Sequence, residues 1–374
     1  MTAEKIPQIA VSGYYGCGNA GDEAVLAGLR TSFERIAPGR VKLVALSQNP
    51  VETTHLHAIP SAYRMSIGSL QATLEKTDLL LSGGGSLLQD TTSVRSLLYY
   101  LFVCRLARHH RIPYMFFAQG LGPLSRPLSR TVVRKVANRA AGITVRDVGS
   151  AELLAEIGVT LPAIEVTADP AFALNPAPSS QIDALFAKEG LPLESRFIGV
   201  ALRSWGAEPE KTAAHYAQLL DSLSGHISER ILLIPMQIPN DLDFARRVVQ
   251  QTRHPEEFRF VQNPYSPEEV LGVVGRMQSV VAMRLHTLIF AARACVPSFA
   301  LSYDPKVASL MHRLGLEQDC VDWSDFEGEA TAQRIAESLS NSSSRVLHLQ
   351  NQKPQLEALA LRNAERALEI LAQR

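Results

Sequence analysis

Short apolar runs alternate with amphipathic stretches along most of the chain. In the first half, the apolar runs cover residues 8–12, 41–46, 79–82, 114–118, 143–145 and 164–166. Between them lie stretches with helical periodicity, at residues 23–35, 94–110, 130–141 and 150–157. This alternation predicts a parallel sheet with helices on both of its faces.

A run rich in proline and serine at residues 175–180 interrupts the alternation and predicts a linker. Strand-like runs then resume at residues 197–202, 231–234, 258–261, 280–283 and 298–301. We therefore expect an α/β protein with two doubly wound domains, residues 1–178 and 179–342. Residues 343–374 form a long helical pattern, which is a candidate to pack back on the first domain.

The composition excludes several classes of protein. Lys plus Arg and Asp plus Glu both number 37 among 374 residues, so no net charge recruits nucleic acid. Residues 1–10 lack the apolar run of a signal peptide, and the most apolar segment, residues 97–104, is too short to span a bilayer. Neither the cysteines nor the histidines and carboxylates have metal-type spacing. These features predict a cytoplasmic protein without a metal site, and they leave peripheral membrane contact and the oligomeric state open.

Residues 280–286 carry the clearest chemical signal in the chain. They predict a buried strand that ends in Arg284 and His286, followed directly by a helix. Ligands of open α/β sheets bind at this carboxyl edge, and the amino terminus of a helix there favours anions. We interpret the pair as part of a phosphate or carboxylate site, with a buried histidine bonded to backbone as the alternative for His286.

Further polar side chains follow other predicted strands. Arg203, Gln237 and Lys306 lie at strand ends in the second domain, and Arg146 ends a strand in the first. Because the carboxyl ends of parallel strands share one sheet edge, these residues are candidates for binding a ligand. The structural alternatives are local pairing of Arg146 with Asp147 and a solvated helix start for Lys306.

A glycine-rich loop follows the first predicted strand. Gly16, Gly18 and Gly21 match the dinucleotide fingerprint GxGxxG, which alone is a weak signal. No acidic residue ends the second strand to hold a ribose, and Asp22 and Glu23 occupy the helix start where a pyrophosphate would bind. The carboxylates suit either the hydroxyl groups of a ligand or the positive end of the helix dipole.

A second glycine segment is predicted to be a loop after the strand at residues 79–82. Its three consecutive glycines, centred on Gly84, allow backbone N–H groups to approach a ligand closely. Gln89 and Asp90 follow these glycines, and their side chains can form hydrogen bonds with hydroxyl groups of a ligand. Gln119 closes the next strand and faces the same edge, so these residues are candidates for binding a polar ligand.

Seven short motifs, taken in their order along the chain, resemble the polysaccharide pyruvyl transferase family, especially its bacterial CsaB branch. Each motif alone is modest, whereas the ordered set is specific. The motifs are GNAGDE (residues 18–23), SGGGSLLQD (82–90), AQG (118–120), VRD (145–147), DPA (169–171), MRLH (283–286) and YDPK (303–306).

The resemblance implies a glycosyltransferase-B-like fold, with two Rossmann-like domains and a central cleft. It implies phosphoenolpyruvate as a co-substrate in place of any cofactor, with pyruvate placed as a ketal across two hydroxyls of a saccharide. The CsaB branch implies a lipid-linked, N-acetylmannosamine-containing precursor of a cell-wall polymer as acceptor. The resemblance implies that Arg146, His286 and Lys306 serve the donor, and we assign them as catalytic; Arg284 lies in the same motif as His286. The positions at strand ends and in glycine segments lead us to assign Arg284, Arg203 and Gln237 to donor binding. They likewise lead us to assign Asp22, Gly84, Gln89, Asp90 and Gln119 to acceptor binding.

Two other functions stay open on the sequence. A nucleotide-sugar glycosyltransferase or epimerase of the same fold would need an acidic residue for the ribose in the second domain. A non-catalytic saccharide-binding module would not need so many basic residues at strand ends.

Overall fold

The computed structural model describes residues 6–91, 93–206, 208–340 and 342–373. Within them, strands of two parallel sheets alternate with helices, which confirms the predicted α/β class. The chain divides into two compact units. The first unit holds the described residues up to Cys17, Asp22–Leu174 and the segment from Gln355 onward, and the second holds Gly18–Gly21 and Asn175–Pro354.

The first unit is built on a seven-stranded sheet. Its strands are β1 (Gln8–Tyr15), β2 (Lys42–Ser47), β3 (Ser61–Tyr63), β4 (Leu79–Leu88), β5 (Tyr114–Leu121), β6 (Gly142–Val145) and β7 (Ile164–Val166). All neighbouring pairs are parallel, in the order β3-β2-β1-β4-β5-β6-β7. The order reverses between β1 and β4, which is the topological switch point of a doubly wound sheet.

Six helices follow the strands of this unit in the described part of the chain. They are α1 (Ala20–Ile36), α2 (Pro50–His57), α3 (Ile67–Leu74), α4 (Val94–His109), α5 (Pro127–Ala137) and α6 (Val148–Glu156).

The second unit contains a six-stranded parallel sheet with the order β10-β9-β8-β11-β12-β13. Its strands are β8 (Phe197–Ala201), β9 (Arg230–Leu233), β10 (Arg259–Phe260), β11 (Ser279–Ala282), β12 (Ser298–Ser302) and β13 (Cys320–Asp322). The switch point lies between β8 and β11. The helices are α7 (Ser179–Lys188), α8 (Pro209–His226), α9 (Asn240–Val249), α10 (Pro267–Gly275), α11 (Leu285–Ala294), α12 (Pro305–Arg313), α13 (Gly328–Ser340) and α14 (Ser342–Ala372), the last of which continues into the first unit.

The first sheet is covered by apolar side chains on both faces. Successive residues of a strand point to opposite faces, so Ile9 and Val11 join one buried cluster and Ala10 joins the other. The cluster around Ile9 and Val11 also contains Ala364 and Ile370 of α14. Burial on both faces explains why the strands read as continuous apolar runs in the sequence.

The structure differs from the sequence-based expectations at several element boundaries. The segment at residues 83–85, predicted to be a loop, lies within β4, which runs on to Leu88. A Cβ atom on Gly83 would lie 2.1 Å from the carbonyl oxygen of Phe117, so glycine is needed for close strand packing. Ser179 and Ser180 belong to α7 and not to a linker. The short strands β3 and β13 were not predicted because their sequences, SAY and CVD, are not apolar runs.

Candidate functional site

Two basic residues follow the two central strands of the second sheet. Arg203 lies two residues beyond the end of β8, and Arg284 lies two residues beyond the end of β11. These strands are neighbours in the sheet, and their carboxyl ends form the switch point where folds of this type bind ligands. Both arginines therefore stand where this unit is best suited to hold a ligand.

Arg284 forms an ion pair with Asp241 of α9. One of its terminal nitrogens donates to Oδ1 of Asp241, while Oδ2 accepts the backbone N–H groups of Met236 at 3.1 Å and Gln237 at 3.0 Å. The side chain of Asp241 is only 4% exposed, so these charge-assisted bonds lie in largely dry surroundings. Among the described residues, the buried Nε of Arg284 has no hydrogen-bond partner, which leaves one donor of the guanidinium unused.

Arg203 and Lys306 both lie close to the aromatic ring of Tyr303. Arg203 donates to the hydroxyl of Tyr303 at 2.7 Å, and its guanidinium carbon lies 5.3 Å from the centre of that ring and 5.7 Å from that of Trp205. The ammonium of Lys306 lies 5.8 Å from the centre of the Tyr303 ring and 2.9 Å from Asp304. No Asp or Glu of the described residues forms an ion pair with Arg203, so its charge lies against neutral aromatic side chains and is largely uncompensated.

Tyr216 is a fully buried phenol of the second unit, and its hydroxyl donates to the sulfur of Met283 at 2.9 Å. Burial raises the pKa of Tyr216 well above its ordinary value, and Tyr303 raises it further, while Arg284 and Arg203 lower it. The phenol therefore stays neutral at physiological pH. Arg203 and Arg284 thus both favour the ionised form of the same phenol, but burial outweighs them.

His286 lies in the first turn of α11 and packs against residues 18–21, which belong to the same unit. A Cβ atom on Gly21 would lie only 2.3 Å from Nδ1 of His286, so no larger residue fits beside the imidazole. The N–H group of Ala20 donates to the carbonyl of Met236 at 2.8 Å, which holds the segment in place. Packing of Gly21 on His286 thus accounts for one glycine of the GxGxxG pattern without a dinucleotide.

Gln237 contacts neighbouring residues through its backbone. Its N–H donates to Asp241, its carbonyl accepts the N–H of Asp241 at 2.7 Å, and it forms an isolated antiparallel bridge with Asn19. Its backbone therefore orders the carboxylate that holds Arg284. The role predicted for Gln237 in binding the donor stays a prediction.

In the first unit, Arg146 follows β6 and is neutralised by the carboxylate of Asp169, which is 23 residues away in sequence. Its guanidinium donates to Asp169 at 2.8 Å and to the hydroxyl of Ser86 at 2.9 Å, while the adjacent Asp147 lies at 3.8 Å. The side chain covers Gly120, where a Cβ atom would lie 2.8 Å from Nε of Arg146. The guanidinium is thus fixed by residues of three strand-end segments, which gives it a defined orientation.

Gln119, Gly84 and Asp22 lie near one another in the first unit. Nε2 of the buried Gln119 donates to the carbonyl of Gly85 at 2.9 Å, whereas its buried Oε1 has no hydrogen-bond partner among the described residues. Gly84 has a φ of +75°, and a Cβ atom there would lie 1.7 Å from Val25 of α1, so only glycine fits. Oδ1 of Asp22 would lie 3.0 Å from a Cβ atom on Gly85.

Asp90 is engaged by the chain that leads into α5. Its two carboxylate oxygens accept the backbone N–H groups of Ser125 at 2.8 Å and Arg126 at 2.9 Å. Burial favours the neutral acid, but these two hydrogen bonds outweigh it and lower the pKa of Asp90 below its ordinary value. Gln89 in turn accepts both the N–H and the hydroxyl of Thr91. These contacts order the end of β4, and the acceptor roles of Asp90 and Gln89 stay predictions.

The sequence-based reasoning missed Arg64, which follows the three-residue strand β3. Its guanidinium donates to the carbonyl of Gly13 at 2.9 Å and to the hydroxyl of Tyr100 at 3.3 Å. The signal was present, because Arg64 ends an aromatic strand in the same way as Arg146 and Arg284 end theirs. It was overlooked because β3 itself was not recognised.

No group of three or more His, Cys, Asp or Glu side chains among the described residues is arranged to hold a metal ion. No helix among the same residues has the length and apolar character needed to cross a membrane.

With the geometry of both units established, comparison with known proteins assigns the family. The sequence matches the profile of the polysaccharide pyruvyl transferases over residues 19–305, which is most of the chain. The chain belongs to the polysaccharide pyruvyl transferase family. The matched region includes Gly21 of the first glycine segment, the whole second glycine segment and all four strand-end arginines, and it ends one residue before Lys306.

Solved structures similar to this polysaccharide pyruvyl transferase family member confirm a glycosyltransferase-B-like fold. A glycosyltransferase from Rickettsia africae is 11% identical with a TM-score of 0.65, and the match covers 98% of this chain and 99% of the other. A putative UDP-N-acetylglucosamine 2-epimerase from Listeria monocytogenes is 12% identical with a TM-score of 0.64, covering 96% and 94% of the two chains. The Neisseria meningitidis UDP-GlcNAc 2-epimerase, bound to UDP-GlcNAc, is 11% identical with a TM-score of 0.61, covering 97% and 100%.

Proposed function

We propose that the protein transfers pyruvate from phosphoenolpyruvate to two hydroxyls of a saccharide, forming a ketal and releasing phosphate. Family membership supports a transferase that acts on a polysaccharide or its precursor. The observation that carries the choice of donor is the position of Arg203, Arg284 and Lys306 after three adjacent strands of the second sheet, β8, β11 and β12, with Arg203 and Lys306 both close to the Tyr303 ring. Phosphoenolpyruvate has a phosphate and a carboxylate, so it needs several fixed cations.

Two features of these cations suit a dianionic donor. Arg203 has no carboxylate partner among the described residues, and the Nε donor of Arg284 is unused, so both have binding capacity left for a ligand. Helix α11 begins directly after Arg284 and has no acidic residue in its first turn, so its positive end reinforces the site. Arginine is well suited to bidentate recognition of both phosphate and carboxylate.

The proposed reaction begins with protonation of the donor and ends with a ketal and free phosphate. A proton adds to the methylene carbon of phosphoenolpyruvate, and a sugar hydroxyl attacks the adjacent oxocarbenium-like carbon while a base removes its proton. The bond from that carbon to the phosphate oxygen breaks, and the second hydroxyl attacks and closes the ketal. Of the two hydroxyl protons, one replaces that added to the methylene carbon and the other leaves with phosphate.

Fixed positive charge lowers the barrier to phosphate departure. We assign this role to Arg203, Arg284 and Lys306, and we also propose Arg146 as a catalytic residue. His286, in the amino-terminal turn of α11, is assigned to holding the phosphate or transferring a proton. Asp22, Gly84, Gln89, Asp90 and Gln119 are the proposed acceptor residues.

We further propose that the acceptor resembles that of the CsaB branch, a lipid-linked saccharide precursor of the cell wall. The enzyme would then work in the cytoplasm, in peripheral contact with the inner face of the membrane. The four free cysteines of the described residues suit such a reducing compartment.

The decisive experiment incubates the protein with phosphoenolpyruvate and a panel of saccharides, and follows phosphate release and the mass of the sugar product. We expect release only with an acceptor, together with one pyruvate ketal per sugar. Stabilisation by UDP-sugars but not by phosphoenolpyruvate would instead favour a nucleotide-sugar enzyme. Stabilisation by saccharide alone, with no release across the panel, would favour a non-catalytic binding module.

Lys306 offers a sharper test because the same unit contains a matched lysine. We expect Lys306→Ala to lower kcat/KM for phosphoenolpyruvate by about 10- to 100-fold, the range for loss of one charge-assisted contact. Lys188 also lies over a tyrosine ring, at 5.3 Å from the centre of Tyr265, but on α7. Lys188→Ala should leave kcat/KM unchanged, and equal effects of the two substitutions would contradict the assignment.

A further inference from the structure

Arg64 is a buried cation that the proposed reaction does not use. The residue is 8% exposed, and it follows β3 at the carboxyl edge of the first sheet. Its side chain reaches the carbonyl of Gly13 on β1 and the hydroxyl of Tyr100 on α4, the helix after β4. Since the sheet order reverses between β1 and β4, the guanidinium lies at the switch point of this unit.

The surroundings of Arg64 are aromatic and contain no counterion. Its guanidinium carbon lies 4.9 Å from the ring centre of Tyr99, 5.5 Å from that of Tyr100 and 5.7 Å from that of Tyr14. Among the described residues no Asp or Glu forms an ion pair with it, and its buried Nε has no hydrogen-bond partner. A buried charge without a partner is costly, and aromatic faces offset only part of that cost.

The phenol and thiol groups near Arg64 are not ionised and therefore do not supply a negative charge. Burial raises the pKa of Tyr99 to about 12, although the adjacent Arg64 lowers it. Burial likewise raises the pKa values of Tyr14, Tyr100 and Cys17. All four groups are therefore neutral at pH 7, so Arg64 keeps its full positive charge.

The other arginines at strand ends make the contrast clear. Arg146 is bonded to Asp169, and Arg284 to Asp241. In the first unit, Arg64 is thus the strand-end arginine whose guanidinium no described carboxylate neutralises. It borders the loop that leads to Asp22, a residue already assigned to the acceptor.

We infer that Arg64, within the collar formed by Tyr14, Tyr99 and Tyr100, is an oxyanion-binding residue that selects an anionic acceptor. This inference rests on the proposed function, because there the second unit takes the donor and leaves the first for the acceptor. The anionic group is a phosphate ester or a sugar carboxylate, both of which a guanidinium binds by the same donor geometry.

Hydrogen exchange localises the subsite without depending on turnover. Inorganic diphosphate and glucuronate serve as the two probes, and exchange is followed in peptides that contain Tyr14 and Tyr99. We expect at least one probe to protect these peptides in the wild-type protein, and Arg64→Gln to weaken its apparent affinity about 10- to 100-fold. Protection by diphosphate alone identifies a phosphate group, and protection by glucuronate alone identifies a carboxylate.

Three variants separate binding from folding. Arg105, exposed on the same helix as Tyr99, provides the matched control, so Arg105→Gln should retain full protection. Arg64→Lys keeps the positive charge but loses the bidentate guanidinium, so it should retain part of the protection. This variant keeps the test available even if Arg64→Gln fails to fold. Arg203→Gln removes a cation of the second unit and should leave protection of the first-unit peptides unchanged.

The inference would be overturned if neither probe protected the peptides. It would also be overturned if wild type, Arg64→Lys and Arg64→Gln were all protected equally. Failure of the proposed function has a different signature: no phosphate release from phosphoenolpyruvate with any acceptor, whatever the exchange data show. If both hold, acceptors with a phosphate or carboxylate should be preferred over neutral glycosides, and Arg64→Gln should remove that preference without changing KM for phosphoenolpyruvate.

Discussion

At the scale of single residues, the strand-end arginines differ in what surrounds their charge. Asp169 holds Arg146 and Asp241 holds Arg284, whereas tyrosine and tryptophan side chains surround Arg64 and Arg203. Carboxylate pairing fixes orientation but reduces the field available to an anion, while an aromatic setting leaves the charge largely uncompensated. We therefore expect Arg64 and Arg203 to dominate anion attraction and the paired arginines to dominate positioning.

The Arg284–Asp241 pair allows stability and function to be separated. Arg284→Gln leaves the buried Asp241 carboxylate without its cation, and we expect a loss on the order of 3 kcal/mol in the free energy of unfolding. The double substitution Arg284→Gln with Asp241→Asn removes both charges and should regain most of that stability. It should not regain activity with phosphoenolpyruvate, because the donor-binding guanidinium is still missing.

Urea unfolding and steady-state kinetics on the same three proteins check this prediction. Recovery of both stability and kcat/KM in the double variant would show that Arg284 acts only through folding. A double variant as unstable as the single one would show that the charge of Asp241 is not the cause of the loss.

At the scale of elements, the end of β4 and the start of α5 are joined by one carboxylate. Asp90 is 4% exposed and bonds the backbone N–H groups of Ser125 and Arg126, just before α5. Asparagine has a single acceptor oxygen, so it cannot bond both groups in the same way. The connection between these elements therefore depends on an ionised side chain, and its strength depends on pH.

Asp90→Asn should destabilise the protein by about 1–3 kcal/mol at pH 7, the cost of leaving a buried donor unsatisfied. The pKa of Asp90 is lowered in the folded state from its ordinary value of 3.8. Its contribution is therefore complete above that value and is lost as the pH falls through the folded pKa. The difference between wild type and variant should be the same at pH 7 and pH 5 and should shrink below 3.8.

Urea midpoints measured across this pH range test the sign of the effect. Asp322→Asn is a suitable control, because Asp322 also accepts a backbone N–H, from Ser324, but is exposed. We expect the control to change stability by less than about 1 kcal/mol. A difference for Asp90 that grows at low pH would contradict the assignment.

At the scale of the whole molecule, residues far apart in sequence complete the first unit. The buried side chain of Asn363 on α14 accepts the hydroxyl of Thr167 at 2.7 Å and donates to the carbonyl of Ala168 at 3.0 Å. Arg362, beside it, pairs with Glu165 of β7. The last helix is therefore tied to the edge of the sheet by polar contacts as well as by apolar packing.

Asn363→Ala should lower the free energy of unfolding by about 2–4 kcal/mol, because buried partners lose their hydrogen bonds. Asn351→Ala changes the same residue type at an exposed position of the same helix and should have little effect. Chemical unfolding of both variants, with hydrogen exchange in β6 and β7, provides the measurement. Equal effects of the two substitutions would exclude a specific role for the Asn363 contacts.

Predictability from sequence differs between the fold and the site. The α/β class followed from the alternation of apolar runs and helical stretches, because that signal is local. The run at residues 83–85 was assigned to a loop because glycine-rich sequence usually leaves a strand, yet close packing on Phe117 and Val25 requires glycine within β4. Arg64 was missed because β3, with the sequence SAY, is not an apolar run and owes its conformation to its pairing with β2.

The sequence by itself determined the family, the α/β class and the presence of basic residues at strand ends, since these depend on order and spacing along the chain. Only the tertiary structure decided which charges are neutralised. Asp169 lies 23 residues from Arg146, and Asp241 lies 43 residues from Arg284, so spacing could not select them. Folding of loops over the sheet edge sets those distances, and it leaves Arg64 and Arg203 among aromatic rings with their charge available to a ligand.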